Sequence, residues 1–139
     1  MRTLLLHVNK FEVGVVEESN RPTGIVPETK NGTSEIMNQC LVVFFCVEKT
    51  DTEQQVEDLC QEIIKTSDEI GTKNLMIAPF VHLSKNIAEP EIAKKFYKIL
   101  MEKFANSDFV VKSSHFGYHK KLLLDIKGHP GSFRYREFY

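Results

Sequence analysis

The apolar and polar positions of this chain fall into blocks that switch between the strand period and the helix period. Residues 3–8 form a short apolar run with β character. Residues 11–16 alternate loosely, which predicts a hairpin partner returning beside that run. Residues 17–38 are polar and carry Pro22, Gly24, Pro27 and Gly32, the composition of a long surface excursion. That length is unusual for a structureless loop, so part of it is expected to be ordered or functional. Residues 40–47, Cys-Leu-Val-Val-Phe-Phe-Cys-Val, are continuously apolar, as a central strand buried on both faces requires.

Thr52 then offers a helix N-cap, with Gln55 completing a capping box. Val56, Leu59, Cys60, Ile63, Ile64 and Ile70 recur at helical spacing before Gly71, a terminator. Residues 75–80 predict the next strand. Glu89-Pro90 opens a second helix, with Pro90 suited to its first turn and Ile92, Phe96, Ile99, Leu100 and Phe104 as its buried stripe. Residues 109–112 and 122–126 close the sheet. The predicted order is β-β-β-α-β-α-β-β, a mixed β-sheet with packed helices in the α/β class. The helix between residues 47 and 75 demands a parallel, right-handed crossover.

Composition narrows the reading. The chain of 139 residues fits one domain with enough Leu, Ile, Val and Phe for its own core. Its formal net charge of -1 argues against a nonspecific nucleic-acid coat. The balance is uneven, however. Lys112, Lys120, Lys121, Lys127, Arg134 and Arg136 stand against Asp125 in the stretch from 112 to 136, either a solvated surface or a face that meets phosphates. Cys40, Cys46 and Cys60 show no metal-ligand spacing and read as buried thiols in a reducing compartment. No signal peptide and no run of transmembrane length is evident, so a cytoplasmic location and no membrane partner are expected. No P-loop, Rossmann glycine pattern, HExxH or EF-hand occurs; no metal or cofactor is expected.

The candidate chemistry lies where apolar runs stop. Ala78-Pro79-Phe80-Val81-His82-Leu83-Ser84 follows one strand, and His115-Phe116-Gly117-Tyr118-His119-Lys120 leads into another. Sites in such folds are built at strand ends, so both segments point to one pocket. His82 can act as acid, base or donor near neutral pH, or be a loop histidine satisfied by backbone. Ser84 lacks the GxSxG elbow of a nucleophile and fits a loop cap. Lys120 and Lys121 face opposite ways on a strand, so one should face the site and the other solvent. Gly117 permits close backbone approach to a ligand. Val47, Glu48 and Lys49 are candidates for the pocket rim.

Taken together, these segments resemble the N-terminal editing domain of archaeal threonyl-tRNA synthetases. The opening Met1-Arg2-Thr3-Leu4-Leu5-Leu6-His7 resembles that family's first strand, and Val47-Glu48-Lys49 its VEK element. Pro79-Phe80-Val81-His82-Leu83-Ser84, Phe116-Gly117-Tyr118-His119-Lys120 and Lys127-Gly128-His129-Pro130 match further elements in the family's order. The resemblance implies a single editing domain over residues 1–139 with a D-aminoacyl-tRNA deacylase-like fold. It implies hydrolysis of the ester joining L-serine to tRNA(Thr), with water positioned by the protein and by the terminal ribose of the tRNA.

Carried over residue by residue, the resemblance makes Lys120 the contact to the serine moiety. It places His82 near the terminal adenosine and the catalytic water. Pro79, Phe80 and Val81 become a pocket wall, Val47 the adenosine side, and Phe116, Gly117 and Tyr118 the segment leading to the lysine. The family usually has tyrosine at His119, alanine at Val81 and glutamate at Phe133, so His119 is the candidate to take over part of the water positioning. The implied partners are the 3′ end of seryl-tRNA(Thr), a second copy in a homodimer and, in a full-length parent, class II catalytic and anticodon-binding domains. Two other readings stay open: a D-aminoacyl-tRNA deacylase of the same fold, and a degenerate domain that binds tRNA ends or only dimerises.

Overall fold

The structure, a computed structural model, describes residues 1–19, 24–28 and 33–139. Pro22 and Gly32 of the polar excursion lie outside the described residues. The first strand, β1 (Arg2–Glu18), is antiparallel to β2 (Ser34–Cys46). Helix α1 (Glu53–Ile70) leads to β3 (Asn74–Pro79), and helix α2 (Pro90–Ala105) to β4 (Val110–Ser113). Both helices are crossovers, because β2, β3 and β4 are mutually parallel. β5 (Tyr118–Ile126) and β6 (Phe133–Glu137) complete a 6-stranded mixed sheet of order β4-β3-β2-β1-β5, with β6 also on β1.

The predicted hairpin between residues 3–8 and 11–16 is absent; both lie in β1. The reason is a phase break. Leu6 and Val8, then Phe11 and Val13, all join one core cluster, although 8 and 11 differ by an odd number of residues. A register shift between Val8 and Lys10 in the β1–β5 ladder absorbs the extra residue. An alternation interrupted by Asn9 and Lys10 reads as two strands but is one strand with a bulge. The observed order is therefore β-β-α-β-α-β-β-β, the last strand being β6, which the apolar pattern did not predict. The excursion also shortens, since β1 runs to Glu18 and β2 starts at Ser34.

The two faces of the sheet are buried differently. Leu5, Val43, Phe45, Leu75 and Ile77 pack against Leu59, Ile63, Phe96 and Leu100 of the helices. Leu6, Val8, Phe11, Val42, Phe44 and Met76 form a second cluster on the other face, joined by Leu124 and Ile126 of β5. Every residue from 40 to 47 is buried, which accounts for that uninterrupted apolar run. Helix α1 begins at the Thr52–Gln55 capping box and ends at Gly71, in the left-handed region at φ 73°. The three cysteines are free and buried, and burial pushes Cys46 and Cys60 up to about 11 and Cys40 up to about 12. Among the described residues, no helix is long and apolar enough to cross a membrane.

The Lys127-Gly128-His129-Pro130 turn docks on β1 through a histidine pair. Gly131 N–H donates to His129 Nδ1 (3.2 Å), so His129 Nε2 carries the proton that it gives to His7 Nδ1, 2.7 Å away. Burial, then His129 and Lys127, hold His7 below the ordinary histidine value of 6.5. A histidine depressed in the folded state binds its proton more readily when unfolded. Its contribution is therefore intact above 6.5 and lost as pH falls through the folded value. Denaturation midpoints from pH 7.5 to 5 should fall further for the wild type than for His7→Phe; equal slopes would sink this account.

Candidate active site

The parallel strands β2, β3 and β4 end at one rim of the sheet. Beyond that rim the chain passes from β4 through residues 114–117 into β5. A cavity of about 410 Å³ lies between the two, lined on one side by Phe44, Pro79, Phe80, Val81 and His82. Ser114, Phe116, Gly117, Tyr118, His119 and Lys120 line it as well. The two segments that the sequence singled out therefore share one cleft. Its size lies in the range of small-ligand sites, roughly 300–1,000 Å³.

Lys120 is half-buried in the cavity wall. Its Nζ donates to the carbonyl of His115 (2.6 Å) and approaches Ser114 Oγ (3.4 Å). These contacts aim a flexible chain from behind and fix where its charge stands. Alternation along β5 puts Tyr118, Lys120 and Leu122 on one face and His119 and Lys121 on the other. Lys121 does not line the cavity, whereas His119 does, as an exposed residue at its rim.

His82 sits in a single turn of 3-10 helix, Val81–Leu83, directly after β3. Its ring meets Phe80 edge-on with centroids 5.1 Å apart, and Phe80 in turn packs on Phe44 at 4.8 Å. This column orients the imidazole without hydrogen-bonding it. Phe80 N–H donates to the Phe45 carbonyl (2.8 Å), so the column continues the β2–β3 ladder. Val81 stands exposed at the mouth.

Val47 is placed differently. It is 4% exposed, belongs to the core under the helices, and is not among the lining residues. Its carbonyl accepts from Ala88 N–H (2.9 Å), and Ala88 does line the cavity, so Val47 stands one residue behind the wall. Ser84 also stays outside the lining. Its hydroxyl donates to Glu48 (2.7 Å) and accepts from Asn86 N–H (3.0 Å), the work of a turn-former. Burial raises the Glu48 carboxyl, but the Ser84 hydrogen bond, the N-terminal ammonium and Arg2 outweigh it and hold the group below the usual range. Phe133 lies on exposed β6, paired with Leu6, and does not line the cavity.

Several lining residues escaped sequence reasoning. Ser114 was detectable: it is a polar residue at the carboxyl end of the strand predicted at 109–112, where sites gather. Ile25 carried no signal, because it lies in the segment 24–28, whose seat is set by distant groups. Glu28 N–H donates to the Phe116 carbonyl (3.1 Å), and the Glu28 carboxylate accepts from Phe116 N–H (2.9 Å) and Tyr97 Oη (3.1 Å). Tyr118 Oη donates to the Glu28 carbonyl (3.1 Å). Burial first, and also the Glu28 charge, push the Tyr97 phenol well up, so it stays a neutral donor. His115 is buried behind this wall, edge-on to Tyr118. Among the described residues, no group of three or more His, Cys, Asp or Glu is placed to hold a metal ion.

What this arrangement offers chemically is an ammonium, an imidazole and backbone groups around a largely apolar cleft. Comparison with known proteins bears on the fold and on the family. The fold is shared with the c-Myc DNA Unwinding Element Binding Protein at a TM-score of 0.73 and 12% identity, covering 100% of this chain and 99% of that one. The shared fold is the mixed sheet with packed helices that the resemblance implied. The chain is 36% identical over 134 residues to a threonine–tRNA ligase of Thermococcus onnurineus and 36% identical over 133 residues to one of Methanococcus vannielii. It is 34% identical over 134 residues to one of Pyrococcus furiosus. Each match covers 94% of this chain but only 21%, 20% and 21% of the respective ligase, so the chain spans about a fifth of those relatives. The profile of the archaea-specific editing domain of threonyl-tRNA synthetase matches residues 1–138, and the chain belongs to that family.

Proposed function

We propose that the cleft hydrolyses the ester that joins L-serine to the 3′ end of tRNA(Thr), a proofreading reaction in the cytoplasm. The observation that carries this reading is the convergence of Lys120 and His82, from segments far apart in sequence, on one small cavity. Serine is threonine minus a methyl group, and a missing methylene is worth only about 10- to 200-fold in discrimination. A second site that admits the smaller side chain supplies the rest.

In this mechanism water attacks the ester carbonyl carbon, the bond to the ribose oxygen breaks, and that oxygen takes up a proton. Serine and a free tRNA end leave. Lys120 donates to the serine moiety, where negative charge develops. His82 holds the terminal adenosine and the attacking water, and His119 at the rim helps position that water. Pro79, Phe80 and Val81 form one wall, and Phe116, Gly117 and Tyr118 the other. Positioning and fixed charge do most of the work, with the terminal ribose hydroxyl of the tRNA assisting. The working form is a homodimer, which would cover apolar residues such as Leu123 and Phe133, 52% and 61% exposed in the single chain. In a full-length parent, class II catalytic and anticodon-binding domains accompany the domain.

The test is release of amino acid from seryl-, threonyl- and D-aminoacyl-tRNA by the purified chain. Serine should be released in strong preference to threonine. Equal release of both, or of neither, overturns the reading, and preference for D-esters moves the activity to a D-aminoacyl-tRNA deacylase.

A further inference from the structure

A second cavity, of about 630 Å³, adjoins the first and has a different character. Pro90 lines both. The segment 24–26 separates them, with Ile25 on the first cavity and Gly24 and Val26 on the second. The second cavity is walled by one face of α2: Glu91, Lys94, Lys95 and Lys98, with Glu102 at the far end. Residues 94, 95 and 98 share a helix face by their spacing.

The lysines here are incompletely neutralised. Lys95 pairs with Glu53 outside the cavity (3.4 Å). The Lys94 ammonium donates to the Val26 carbonyl (3.1 Å), a neutral acceptor. Among the described residues, neither Lys94 nor Lys98 has a carboxylate within ion-pair distance. Lys94 and Lys98 therefore face the concave groove beside the candidate active site without an ion pair, and the three lysines that line it outnumber its two carboxylates, Glu91 and Glu102. A groove of this kind suits a ligand with repeated single negative charges.

We propose that this groove binds backbone phosphates of an RNA strand, those of the nucleotides preceding the terminal one, with Lys94 and Lys98 as the phosphate ligands. The proposal rests on the reading that a tRNA 3′ end enters the first cavity. The strand behind that end must leave along some wall, and the α2 groove lies next to the cleft, across Pro90 and residues 24–26. Contacts of this type position the strand and carry no sequence information. They also explain how a chain of net charge -1 can hold RNA, through a local track rather than an overall positive field.

Fluorescence titration of the full chain with an uncharged RNA hairpin bearing a single-stranded 3′ end, over a salt series, tests this directly. Each phosphate contact on a single strand contributes about 0.7 to the slope of log K against log salt. Lys98→Gln should lower the slope by about that amount, and Lys94→Gln with Lys98→Gln by about twice as much. Glu102→Lys, which adds a cation to the same groove, should tighten binding and steepen the slope.

Hydrolysis of seryl-adenosine, which carries no phosphate, should be unchanged in Lys98→Gln. Slopes that stay at the wild-type value in all three variants overturn the proposal. So does loss of seryl-adenosine hydrolysis in Lys98→Gln with RNA affinity intact, which would assign that lysine to the first cavity. If the wild type binds RNA with the expected slopes yet hydrolyses no seryl ester, the groove stands and the hydrolytic reading alone fails.

Discussion

Lys120→Met is expected to lower kcat/KM for seryl-tRNA hydrolysis by about 100- to 1,000-fold, the usual cost of losing one donor aimed at developing charge. Methionine keeps the length and apolar stem of lysine and removes the ammonium. The loss should fall mainly on kcat, since a group that meets charge formed in the transition state contributes little to ground-state binding. The variant leaves the His115 carbonyl without its 2.6 Å donor. His115 is buried behind the cavity wall, so the carbonyl left without that donor should cost about 1–3 kcal/mol of stability.

Lys120→Arg sharpens the test. It preserves charge, but a planar fork replaces a compact point donor in a site fitted around the His115 carbonyl and Ser114. It should recover little activity. Single-turnover assays on seryl-tRNA, alongside denaturation midpoints for each variant, separate chemistry from folding. A Lys120→Met rate within a few-fold of wild type would remove Lys120 from the mechanism.

The site was legible in the sequence where chemistry coincides with a strand end, and so were the elements whose rules are local. Thr52 with Gln55 and Gly71 delimit α1 because capping is decided within a turn of the chain. The 40–47 run announces a strand buried on both faces. β6 was hidden because its alternation is inverted. Arg134 and Arg136 reach Glu69 and Glu62 on α1, while Phe133 and Tyr135 face solvent, 61% and 46% exposed. A pattern rule that sends aromatics inward cannot assign such a strand. The lining residue Ile25 was hidden for a different reason: the segment 24–28 takes its place from Tyr97, Phe116 and Tyr118, and nothing within those five residues encodes that seat.

That segment supplies the second large expected effect. Gly117→Ala should lower seryl-ester hydrolysis at least tenfold, although no side chain is removed from the site. Gly117 has φ 84°, a conformation that costs a residue with a Cβ about 1–2 kcal/mol. The added Cβ would also stand 2.6 Å from the Cα of Pro27 and 3.1 Å from its N. These are backbone atoms, so no side-chain rotation relieves the contact. Either residues 24–28 retreat or the 114–117 turn does, and both line the cavity.

The hydrogen bonds that tie Glu28 to Phe116 and Tyr118 make the two segments move as one unit. Glu28→Ala should therefore reproduce the defect from the other side, while Glu28→Gln, whose amide oxygen can still accept from Phe116 N–H, should retain most activity. Because Gly117→Ala and Glu28→Ala disrupt one docking, their combined loss should be well short of the product of the single losses. Stability should drop by only about 1–3 kcal/mol in each, since the β1–β2–β3 core does not depend on this contact. Gly117→Ala with the wild-type rate, or strictly multiplicative losses in the double variant, would show that the docking of residues 24–28 does not shape the cleft.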